Sequence, residues 1–226
     1  MGVMAAPPFI IAIDGPSGAG KGTIARAIAA ELGYRHVDSG AMYRAIAWKA
    51  VRAHVRLDDE PALVHLAHEA NIEIADAAVA VDGVDVSTLI RTPEIDRAAA
   101  AVARVAGVRS VLVARQRELG AQGGVVMEGR DIGTVVFPRA DLKVYLDASA
   151  EERAARRASE RAQGAAANIA EVASELSARD ESDRTRQISP LHAAADAHTI
   201  DTTGVPVATV VTRVLQLVRN LLASRV

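Results

Sequence analysis

The sequence predicts an α/β fold of three layers, a five-stranded parallel sheet between helices, interrupted by a small antiparallel insertion. Three observations carry this expectation. A short β-branched apolar run at 9–13 leads through a glycine-rich turn into a helical pattern at 21–32. Short apolar runs and helical stretches alternate again after residue 124, and that rhythm places parallel strands under helices on both faces. Between them, residues 71–86 change to short alternating runs around Asp82-Gly83, a strong hairpin signal.

Each element follows from its own residues. The run 9–13 is apolar at every position, as a strand buried on both faces must be. The helix 21–32 stops at Gly33, a residue suited to a helix C-cap. A second strand at 34–37 precedes Asp38-Ser-Gly40, a turn and helix start, and a helix from 41 to about 55 carries Tyr43, Arg44 and Trp48. Asp58 is the expected N-cap of a helix over 58–70. Pro93 opens a helical region that runs to about 122 with a break near Gly107. Strands at 124–128 and 142–146 end in Gly129-Arg130-Asp131 and at Asp147. Ser149 opens an arginine-dense helix to about 163, residues 164–168 break it, and a second charged helix spans 169–185. A last strand at 198–202 and an amphipathic helix at 205–222 complete the chain.

Composition narrows the chemistry. The 226 residues allow one or two domains, and an apolar fraction of 50% with only 3% aromatics implies a core of many helices with small side chains. A net charge of -2 argues against holding nucleic acid by bulk charge, although local arginine clusters still bind small anions. The absence of cysteine excludes disulfides, thiolate metal sites and a cysteine nucleophile. Residues 1–8 lack the pattern of a signal peptide, and no later apolar stretch is expected to span a bilayer. The expectation is a soluble cytoplasmic protein.

The turn Gly15-Pro16-Ser17-Gly18-Ala19-Gly20-Lys21-Gly22-Thr23 lies between a strand and a helix, which is the arrangement of a phosphate-binding P-loop. Glycines let backbone N–H groups turn inward around phosphate oxygens. The helix adds the positive end of its dipole, and Lys21 supplies a mobile cation for the β- and γ-phosphates. The commonest form has Ser or Thr directly after the lysine. Here Gly22 stands there, so Thr23 is the hydroxyl nearest a magnesium ion, reaching it directly or through water.

The Gly-Lys-Gly-Thr ending resembles the nucleoside monophosphate kinases, and the sequence has no Asn-Lys-x-Asp guanine reader. Three further segments sharpen the likeness: Asp38-Ser-Gly-Ala-Met-Tyr-Arg44, Glu128-Gly-Arg-Asp-Ile-Gly-Thr134 with Val-Val-Phe-Pro138, and Arg179-Asp-Glu-Ser-Asp-Arg-Thr-Arg186. In this order and spacing they resemble the bacterial cytidylate kinases, over nearly the whole chain from Phe9 onward. The resemblance implies a P-loop fold with a core of 9–57, 108–148 and 187–226, a monophosphate-binding insertion at 58–107 and a lid at 149–186. It implies ATP-dependent phosphorylation of CMP and dCMP with Mg2+, by a monomer that binds neither nucleic acid nor membrane.

Residue by residue, the resemblance places Arg44, Arg130 and Arg186 on the acceptor phosphate or the transferring group. Arg179 and Asp183 fall to the acceptor ribose and phosphate, Arg109 and Asp131 to cytosine, and Ser39 and Tyr43 to the acceptor pocket. The spacing of Arg179, Asp183 and Arg186 allows all three to share one helix face. Two positions depart from the family: Ala100 stands where a serine is frequent near the cytosine edge, and Ser182 where an arginine is frequent. Arg153, Arg156, Arg157 and Arg161 form either a lid that closes on donor phosphates, with Arg153 and Arg157 as its working members, or a solvated helix face. Glu128 is either a carboxylate holding magnesium-bound water or a structural acceptor.

Other groups are read as ordinary. His65 and His68 make a surface pair without a third metal ligand, Trp48 a core anchor, and Lys49, Lys143 and His192 surface groups. Two alternatives stand beside the CMP kinase expectation. One is a kinase of UMP or another small acceptor, and the other is a regulatory module that binds ATP without turnover.

Overall fold

The computed structural model describes residues 8–75, 78–161 and 168–224. Residues 1–7 and 164–167, for which the sequence suggested no leader and a helix break, lie outside the described residues. The sheet has five strands in the order β2-β6-β1-β7-β8, all parallel, as expected. Its centre is β1 (Ile10–Asp14), flanked by β6 (Val125–Gly129) and β7 (Leu142–Asp147). Outside these lie β2 (Arg35–Asp38) and β8 (His198–Asp201). Glu128 is in register with Ile13 of β1 on one side and with Asp38 of β2 on the other. Three strands therefore end together, and the carboxyl ends of parallel strands are where such folds bind ligands.

On one face, α1 (Lys21–Leu32) and α8 (Val207–Ser224) pack Ile24, Ile28, Val210 and Val214 against Ile11, Ile13 and Val144. Helix α1 ends in a left-handed Gly33, where Tyr34 N–H closes back on Ala29 O at 2.8 Å. Contrary to the sequence expectation, one helix is long and apolar enough to cross a bilayer. By length and composition α8 does qualify as a possible membrane span, because only two charges, Arg213 and Arg219, fall among its apolar residues. Its buried valines nevertheless belong to the sheet core.

The second apolar cluster joins α2 (Ser39–Arg52), α3 (Glu60–Glu69), α4 (Pro93–Val102) and α5 (Ala106–Gly120). It also covers the antiparallel sheet of β3 (Ile72–Ala75), β4 (Ala78–Val81) and β5 (Val84–Asp85). Asp82 and Gly83 both take positive φ in the β4–β5 turn, as the hairpin signal required. The N-cap of α3 is Asp59, not Asp58: Asp59 accepts from Ala62 N–H, while Asp58 pairs with exposed Arg56. The break between α4 and α5 falls at 103–105, with Gly107 inside the first turn of α5. Lys143 is no surface group. It is buried, and its Nζ donates to Pro138 O at 2.7 Å and Asp196 Oδ1 at 2.9 Å.

The two charged helices, α6 (Ala150–Arg161) and α7 (Ile169–Thr185), share a small apolar cluster of their own: Ala154, Ala158, Val172 and Leu176. They stand across a cleft from α4, above the carboxyl end of the sheet.

Candidate functional site

The loop from Gly15 to Gly20 joins β1 to α1, and Lys21 is the first residue of that helix. Gly15 has φ 147°, and a Cβ there would overlap Leu146 O of the neighbouring strand, so only glycine lets the loop leave the sheet. Lys21 is buried, with Nζ donating to Pro16 O at 2.7 Å. Burial first, then the charge of Arg130, lowers its pKa to about 7. The loop thus holds a poorly solvated cation that an anion would stabilise.

A cleft of about 490 Å³ opens from this loop. It is lined by Lys21 and Thr23 and by four arginines from other segments, Arg44, Arg130, Arg179 and Arg186. Among the remaining predicted residues, Ser17, Gly18, Gly20, Gly22, Ser39 and Tyr43 also line it. So do Arg109, Glu128, Asp131, Arg157 and Asp183. Gly15, Pro16 and Ala19 sit behind the wall. Arg153 stands apart as well: it pairs with Asp180 and donates to Ser17 O at 3.1 Å, clamping α6 and α7 to the loop.

Arg130 links the loop to α7. Its Nη2 donates to Ser17 Oγ at 2.6 Å and its Nε to Asp183 Oδ2 at 2.9 Å. Arg186 is not within α7 but caps its end, with Nη1 3.5 Å from Asp183 Oδ1. Burial pushes the Asp183 carboxyl up, but Arg130, Arg186 and Arg179 outweigh it and hold it below the usual range. Arg186 Nη2 is buried, makes no hydrogen bond among the described residues, and lies 3.9 Å from Asp131 Oδ1. At the far end of the cleft, buried Arg109 pairs with buried Asp131, and its guanidinium lies 5.3 Å from the Tyr43 ring centroid. Burial raises the Tyr43 hydroxyl to about 12, so it stays neutral.

The structure brings in residues that the sequence reading passed over. Asp38 caps α2 through Ala41 N–H at 2.9 Å and holds Arg44 Nη2 at 2.7 Å. Burial pushes Asp38 up, yet Arg44 and Arg91 hold it at about 2. Its place at the end of a strand, before Ser39-Gly40, was a readable N-cap signal. Asp14 accepts from Ile132 N–H at 2.8 Å and Gly133 N–H at 2.7 Å, so the end of β1 fixes the turn that carries Arg130 and Asp131. His36 Nε2 lies 3.0 Å from Glu128 Oε1, and both are buried. No sequence pattern announced that pair, because it forms only through the β2–β6 register.

A model of the cytidylate kinase family matches residues 11–220. The chain belongs to the cytidylate kinase family. Its similarity extends to the cytidylate kinase of Desulfitobacterium hafniense (strain Y51), 50% identical over 211 residues covering 92% of this chain and 91% of that protein. The cytidylate kinase of Geobacillus sp. (strain WCH70) is 46% identical over 215 residues, 93% of this chain and 96% of that protein. Among solved structures, a gluconokinase from Sinorhizobium meliloti 1021 matches at TM-score 0.51 and 16% identity, covering 96% of this chain and 97% of that chain. At that identity it shows the shared fold alone, in agreement with the parallel sheet described above. Family membership makes this chain a phosphotransferase of the cytidylate kinase type.

Proposed function

We propose that this chain transfers the γ-phosphoryl group of ATP to the phosphate of CMP or dCMP, giving ADP and CDP or dCDP. The observation that carries this is one cleft with two sets of cations: Lys21 in the phosphate loop, and Arg44, Arg130 and Arg186 facing it. A module that only bound ATP would need the first set and not the second. An acceptor phosphate oxygen is already ionised, so it attacks the γ-phosphorus without a base while the bond to the β-bridging oxygen breaks. Positioning and charge neutralisation then do the catalytic work.

In this reading the loop 15–23 and Lys21 hold the donor phosphates. Arg130, bonded to Ser17 on the donor side and Asp183 on the acceptor side, follows the transferring group. Arg44 and Arg186 grip the acceptor phosphate, Asp183 accepts from its ribose, Arg179 reaches ribose and phosphate, and Arg109, Asp131, Ser39 and Tyr43 take the base end. The insertion 58–107 and the lid 149–186 act as closing walls, since α6 and α7 carry their own apolar cluster. Arg157 lines the cleft and fits the donor side, while Arg153 supports the loop from behind.

Mg2+ suits this cleft. Glu128 and Thr23 offer a carboxylate and a hydroxyl beside Lys21, the oxygen donors that magnesium takes. When bound, the ion neutralises charge on the phosphate oxygens during transfer. In this proposal the working unit is a monomer, and its small nucleotide substrates suit a cytoplasmic enzyme. The test is ADP release from ATP and Mg2+ with and without CMP; strict dependence on CMP is expected, and release without any monophosphate dependence would overturn the reading.

A further inference from the structure

Asp96 belongs to α4, on the insertion side of the cleft, yet both lid helices hold its carboxylate. Oδ2 accepts from Arg157 Nη2 of α6 at 2.5 Å, and Oδ1 accepts from Arg179 Nη1 of α7 at 3.1 Å. The residue is only 9% exposed, so these pairs are little screened by solvent. A second link runs alongside, from Arg104 Nη1 just beyond α4 to Ser182 Oγ on α7 at 3.2 Å. The apolar cluster of the lid stays within α6 and α7, so it is these polar pairs that reach across to the insertion.

Both guanidiniums need such a partner. Burial first, and then the neighbouring charge of Arg130, works against the charge on Arg179, and Asp96 is the first group that opposes them. Arg157 has Glu160 as a second partner at 2.9 Å, but that carboxylate lies on its own helix and cannot draw it toward the insertion.

We propose that Asp96 is a positioning residue that clasps the lid to the insertion and holds Arg157 and Arg179 turned into the cleft for nucleotide phosphates. This rests on reading those two arginines as phosphate-binding groups. The clasp gives a reason for a carboxylate inside a site built for anions: it holds two guanidiniums from different helices at one point of the cleft.

The test is steady-state kinetics of the full chain with ATP, CMP and Mg2+ for Asp96→Asn, Asp96→Glu, Arg157→Met/Arg179→Met and the triple variant. Asp96→Asn should raise KM for both nucleotides by roughly tenfold, with a smaller change in kcat. Asp96→Glu, which keeps the charge, should recover most of that loss. In the double-arginine background Asp96→Asn should change kcat/KM by less than about twofold, because its effect passes through those side chains. An unchanged or lowered KM in Asp96→Asn would overturn the clasp, and so would an equal loss in the double-arginine background. If the asparagine variant folds poorly, Asp96→Ser is read in the same coupling. Loss in the arginine variants without loss in Asp96→Asn removes the clasp alone. No loss in either removes the reading of the arginines as well.

Discussion

A Cβ on Gly22 would stand 3.0 Å from Glu128 Oε1. A side chain there would press on the carboxylate of the neighbouring strand and make it give by a few tenths of an ångström. His36 Nε2 holds the same Oε1 at 3.0 Å, which opposes that shift. Gly22→Ala should displace Glu128, lower turnover by about tenfold and raise the Mg2+ concentration needed for half-maximal rate. Magnesium titrations of wild type and variant check this, with thermal unfolding to confirm an intact fold.

Lys21→Ala should reduce kcat by at least about a hundredfold, the scale for removing one preorganised charge contact to a transferring group. Stability should hold or rise. Burial and Arg130 already push the Lys21 ammonium down to about 7, so the empty protein bears its charge at a penalty. Activity assays and melting curves on the same samples separate the two effects.

Asp14 makes a pH prediction whose sign is fixed by its environment. Burial raises its pKa from 3.8 to about 6, against the opposing N–H groups of Gly133 and Ile132. Between those values the folded chain keeps a proton that the unfolded chain has released, so this contribution to stability falls as pH rises from about 4 to about 6. The stability of wild type minus that of Asp14→Asn, taken with its sign, should fall over that interval by on the order of 2–3 kcal/mol. Denaturant unfolding at pH 4 and pH 7 measures it; a difference that grows would contradict the assignment.

Arg109→Met should destabilise the fold by about 3 kcal/mol, because it leaves the buried Asp131 carboxylate only the more distant Arg186, at 3.9 Å. The double change Arg109→Met/Asp131→Leu should recover part of that loss while acceptor binding stays impaired. Chemical denaturation and KM for CMP read the two quantities separately.

Local patterns made much of this legible in the sequence. Strand β1 announced itself by a continuous apolar run, the other four by short runs between turn residues, and the loop 15–23 by its glycines and lysine. Asp82-Gly83 fixed the hairpin because few residue pairs accept positive φ in succession. What stayed hidden depends on contacts between distant segments. The links of Asp96 to Arg157 and Arg179 span 61 and 83 residues, and His36 meets Glu128 across 92. Lys143 read as a surface lysine because only the folded chain brings Pro138 O and Asp196 to its ammonium. Arg153 read as a lid cation facing phosphates, but Asp180, one residue past Arg179, turns it against the back of the loop.

The central claim is that the second cation set, with Arg109 and Asp131 at the base end, makes this cleft a site for cytidine monophosphates. The most direct measurement is coupled ADP release with ATP and Mg2+ across CMP, dCMP, UMP and AMP, compared by kcat/KM. CMP and dCMP should lead, with UMP and AMP well below. Stimulation by none of the four, or a preference for UMP, would contradict the account.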